Sequence, residues 1–119
     1  MRPDVTRNYE DPDLARPKVL TVTSHRDGDR AVIALVGELD MEGVDVLVAE
    51  VRDHLVRQPV AVEIDGLALD FVDSVGLRSL LGLQAEVAAA GVTFGVAASP
   101  PLTRLLELTG LVGVLTLVG

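Results

Sequence analysis

The sequence predicts an α/β fold: a mostly parallel, mixed sheet of about five strands with three or more helices packed against it. Two observations carry that prediction. Short β-branched runs alternate with segments whose apolar residues recur at helical spacing, and two strand-like runs precede the first helix. The resulting order is strand, strand, helix, strand, helix, strand, helix, strand. Such an order demands right-handed crossovers between parallel neighbours and helices that cover the sheet with their apolar stripes.

Residues 1–17 hold Pro3, Pro12 and Pro17 among charged residues without periodicity, so they are expected to form a mobile tail. The folded domain is expected over 18–119. Val19-Leu20-Thr21-Val22-Thr23 is strand-like, and His25-Arg26-Asp27-Gly28-Asp29 supplies turn chemistry. Ala31 to Val36 reads as a second, hairpin-paired strand that Gly37 ends. Val44, Leu47, Val48, Val51 and Leu55 share one face of a helix over 44–57, which Gln58-Pro59 stops. Val60-Ala61-Val62-Glu63-Ile64 is a short apolar run, expected to be buried on both faces and parallel to its neighbours.

A second helix is expected over 75–90, with Leu77, Leu80, Leu81, Val87 and Ala88 inward and Gly91 at its end. Val92 to Ala97 is the next strand. Ser99 before Pro100-Pro101 opens a third helix as its N-cap. Leu102, Leu105, Leu106 and Thr109 keep helical spacing up to Gly110. Val112 to Val118 reads as the last strand.

Composition narrows the function. The 119 residues are 49% apolar but include only three aromatics, so Leu, Val and Ala build the core and few stacking platforms remain. A formal charge of −8 argues against nucleic-acid binding and suits a partner with a basic surface. There is no cysteine, which excludes disulfides and thiolate metal sites. The charged first twenty residues hold no signal-like apolar stretch, and no apolar run approaches the ~20 residues of a membrane span. A cytoplasmic protein without membrane contact is expected.

Catalysis finds little to work with. The nucleophile-elbow pattern lacks its first glycine at Phe71-Val72-Asp73-Ser74-Val75-Gly76. His25 falls in the expected turn and His54 on a charged, solvated helix face, so neither is placed as a base for Ser74. Lys18, the only lysine, lies outside any phosphate-binding loop. Asp40, Asp70 and Asp73 can in principle bind a hard cation, but loop carboxylates more often form caps and turns. No catalytic residue, metal or cofactor is assigned.

The remaining chemistry is recognition. Leu69 to Leu77 reads as a strand end, a tight turn and a helix start, with Ser74 at the junction. There its hydroxyl can cap first-turn N–H groups and remain within reach of another protein.

Gly37-Glu38-Leu39-Asp40, Asp73-Ser74-Val75-Gly76-Leu77 and Ser99-Pro100-Pro101-Leu102 with Leu108-Thr109-Gly110-Leu111 together resemble, in order, three segments of the STAS domain family. Within that family the likeness is to stand-alone anti-sigma factor antagonists, and it covers roughly 19–118. The resemblance implies a STAS-type fold. It also implies that Ser74 is a phosphoacceptor within a partner-binding surface made by Asp40, Asp73, Ser74, Val75, Gly76, Leu77 and Arg78. The implied partners are an anti-sigma factor serine/threonine kinase, bound while Ser74 is unphosphorylated, and a PP2C-type phosphatase. The alternative is a STAS scaffold or ligand-sensing module without a phosphorylation switch. Val75 replaces a second hydroxyl residue, which leaves Ser74 the single acceptor. Arg78 stands where the family often has glycine; it can pair with a phosphate, clash with a partner, or simply be solvated.

Overall fold

The computed structural model describes residues 19–119, so the tail expected over 1–17 lies outside the described residues. Strands β1 (Leu20–Asp27) and β2 (Arg30–Leu39) are followed by helix α1 (Met41–Val56), β3 (Ala61–Val72), α2 (Ser74–Ala89), β4 (Thr93–Ala98) and α3 (Pro100–Thr109). The sheet order is β1-β2-β3-β4. β1 pairs antiparallel to β2, and β2, β3 and β4 run parallel.

β1 and β2 form a hairpin in which Asp27 opposes Arg30. Gly28, with φ +63°, takes the first central position of the two-residue turn, where an L side chain is disfavoured. His25 therefore lies in a strand rather than in the turn. Gly37 does not end β2. Its φ of +108° lets the strand kink and continue to Leu39, and a Cβ there would stand 2.2 Å from the Val19 carbonyl oxygen.

β3 runs eight residues past its expected end. Its pairing with β2 shifts register twice, between Ala34 and Val36 and between Gly37 and Glu38, each time placing one extra residue on β3. Asp65-Gly66 looks like a turn but is carried inside the ladder by the first of these irregularities. β3 is also buried on one face only: Val62 and Ile64 are buried, while Ala61, Glu63 and Asp65 are half-buried.

Ile33, Ile64 and Val96 stand side by side across β2, β3 and β4. They belong to one core with Leu47 and Val51 of α1, Leu80, Leu83 and Val87 of α2, and Leu102 and Leu106 of α3. Each such side chain contributes about 1.5–3 kcal/mol by leaving water. On α2 the inward stripe includes Leu83, which the sequence reading missed, whereas Ala88 is exposed. α1 begins three residues earlier than expected, with Asp40 as its cap.

Two further expectations change. His54 is 4% exposed, because it continues the stripe of Leu47 and Val51 against β1. Its Nε2 lies 2.8 Å from Ser24 Oγ, whose hydroxyl donates to the Glu50 carboxylate. The ring therefore donates from Nε2 to Ser24, and Nδ1 has no partner among the described residues. The expected fifth strand over Val112–Val118 is reduced to isolated bridges, Val96 with Leu117 and Val112 with Leu115. Gly113, with φ +90°, turns the segment. The Gln84 side chain takes the Val114 carbonyl and the Thr116 N–H, each at 2.8 Å, in place of a strand neighbour.

Ser99 does precede α3, but its hydroxyl makes no capping bond. Pro100 and Pro101 fill the first two helical positions and offer no N–H, removing one of the two donors a cap side chain can use.

Candidate functional site

Parallel pairing of β2 with β3 builds the site. Leu39 opposes Val72, so the two strands end side by side and their strand-to-helix junctions are adjacent. The Asp73 N–H donates to the Leu39 carbonyl at 3.3 Å and ties one junction to the other. Asp40 and Asp73 thereby meet, although 33 positions separate them in sequence.

Both aspartates are helix caps. Asp40 Oδ1 accepts from the Glu42 and Gly43 N–H groups at 3.0 and 3.3 Å. Asp73 Oδ1 accepts from the Gly76 N–H at 2.8 Å. The cap of α2 is thus Asp73 and not Ser74, which is the first residue of the helix itself. A carboxylate is the stronger acceptor for those N–H groups, and its negative charge suits the helix start. Freed from capping, Ser74 is exposed.

Of the seven residues expected to meet a partner, Asp40, Asp73, Ser74, Val75 and Arg78 offer surface, while Gly76 and Leu77 are buried. Leu77 is in the core at 3% exposure. Gly76 lies against β2 so closely that a Cβ would stand 2.3 Å from the Leu39 carbonyl oxygen. These two seat the loop from within.

The structure adds residues that sequence reasoning missed. Glu38, Met41 and Glu42 join Asp40 and Asp73 around one shallow recess. Met41 is 70% exposed and Phe71 45%, so apolar side chains stand beside the carboxylates. The acidic character of Glu38-Leu39-Asp40-Met41-Glu42 is visible in the sequence. Exposure of Phe71 is not, because it follows from the second register shift between β2 and β3.

The surface therefore presents an exposed hydroxyl next in sequence to Asp73, whose recess carries further carboxylates and the apolar Met41. His54, the buried base, belongs to the β1–α1 contact with Ser24 and Glu50 and is not part of this site. Among the described residues no group of three or more His, Asp or Glu is placed to hold a metal ion. No described helix is long and apolar enough to cross a membrane.

The chain belongs to the STAS domain family: the family described as "Mlab, STAS domain" matches residues 22–119. More particularly, it is similar to the anti-sigma-F factor antagonist RsfB of Mycobacterium tuberculosis. The two are 32% identical over 91 residues, 76% of this chain and 74% of that protein. The crystal structure of an anti-sigma factor antagonist from Mycobacterium paratuberculosis superposes with a TM-score of 0.75 at 29% identity, covering 86% of this chain and 87% of the other. The Bacillus cell fate determinant SpoIIAA in its phosphorylated form shares the fold, with a TM-score of 0.64 at 22% identity over 83% and 92% of the two chains.

Proposed function

We propose that this chain is an anti-sigma factor antagonist whose surface around Ser74 binds an anti-sigma factor serine/threonine kinase and so frees a sigma factor in the cytoplasm. Phosphorylation of Ser74 ends that binding, and a PP2C-type phosphatase restores the hydroxyl. The observation that carries this reading is the exposed Ser74, relieved of capping by Asp73, which itself shares a recess with Asp40. Similarity to known antagonists supports the class of partner.

The physics follows from charge. A phosphate adds about −1.5 to −2 charges at neutral pH. Added next to Asp73, which lines a recess with Asp40, Glu38 and Glu42, it raises the cost of bringing up an interface that accepted a neutral hydroxyl. A loss of ~1.4 kcal/mol is already a tenfold weaker complex. Met41, Phe71 and Val75 supply the apolar contact area of the unphosphorylated complex.

The test pairs mass spectrometry with binding. After incubation with the candidate kinase and ATP, label is expected on Ser74 and absent from Ser74→Ala, and the labelled protein should release the partner. Tight binding by both the phosphoprotein and Ser74→Asp would instead establish a scaffold without a switch.

A further inference from the structure

We propose that Arg78 is an intramolecular receptor for the phosphate on Ser74, holding it along one turn of α2; this rests on the phosphorylation of Ser74 proposed above. Ser74 and Arg78 lie four residues apart on the same helix. Both are exposed, whereas Gly76, Leu77 and Leu80 around them are buried, so the two share the outward face. Side chains four apart on a helix have Cβ atoms about 5–6 Å from one another, and an anion N-terminal to its cation is the favoured order.

Arg78 is also available. Arg30 is engaged by Asp27 and Glu63, Arg52 by Glu86 and Arg57 by Asp53, while Arg78 pairs with no carboxylate among the described residues. A guanidinium matches a phosphate with two parallel N–H···O bonds, which a lysine cannot supply. Asp73, the residue before Ser74, lines the acidic recess with Asp40 and Glu42, whereas Arg78 does not. Repulsion from those carboxylates directs the phosphate towards Arg78, and the pairing favours its dianion.

The proposal is tested on the full chain carrying phosphoserine at position 74, incorporated during translation so that no kinase is involved. The ³¹P resonance is titrated against pH. Arg78→Ala is expected to raise the titration midpoint by about 0.15–0.4 units, the size of a helical pair of this spacing. Arg78→Lys should retain part of the wild-type value, and salt near ~1 M should close the gap. Equal midpoints in wild type and Arg78→Ala would overturn the proposal. That failure would leave partner release untouched, just as failure of a kinase to label Ser74 would leave this titration standing.

Discussion

Gly76 shows how much of the site depends on a missing side chain. A Cβ there would meet the Leu39 carbonyl oxygen at 2.3 Å and Leu39 Cγ at 2.9 Å, and a backbone atom cannot swing aside. Gly76→Ala is therefore expected to destabilise the fold by about 1–3 kcal/mol despite the better helix propensity of alanine. Urea unfolding gives the value, and an unchanged or higher stability would contradict the contact. The same residue scale explains the capping correction. Asp73 and Ser74 are adjacent and both are good caps, so sequence alone does not choose between them. The choice is made by where β3 stops, and it decides whether the hydroxyl is occupied or free. His54 is a parallel case. Its neighbours Asp53, Arg52 and Arg57 are exposed, which makes a solvated face a natural reading, but it falls on the stripe of Leu47 and Val51 and finds Ser24 opposite.

At the scale of the element, α2 carries an internal control. Gly82 is exposed, and nothing lies within 4 Å of a Cβ built on it. Gly82→Ala is thus expected to stabilise the protein by about 0.8–1.0 kcal/mol, a sign opposite to that of Gly76→Ala in the same helix. Paired urea curves check both. The contact of α2 with α1 carries a bidentate pair, Arg52 to Glu86 at 2.8 and 3.0 Å. The hydrogen bond from Arg52, helped by its charge, holds the Glu86 carboxyl below its ordinary value. Because the folded value is the lower one, the contribution is present at neutral pH and lost as pH falls through it. The stability gap between wild type and Glu86→Gln should then shrink between about pH 7 and about pH 3. It should remain small throughout, since both groups are solvent-exposed and screened. A gap that widened on acidification would contradict the pairing.

For the whole molecule, Ser74 lies on the surface of a core it does not enter. Ser74→Asp should leave stability within about 0.5 kcal/mol of wild type, as surface changes usually do. The same change should weaken partner binding by at least about tenfold. Circular dichroism melting and calorimetric binding separate the two, and loss of fold together with binding would refute a surface switch.

The alternation of strands and helices, the inward stripes of α1 and α3, the hairpin glycine and the Asp-Ser junction are all legible in the chain, because each depends on neighbours within a few residues. So is the acidic balance of charge. Only tertiary structure decided that β3 continues through Asp65-Gly66, that the last strand dissolves into bridges held by Gln84, and that Phe71 faces water. It also decided that Asp40 and Asp73 share one surface. These outcomes depend on which backbone lies alongside, and hydrogen-bond register between strands distant in sequence leaves no local periodicity to read.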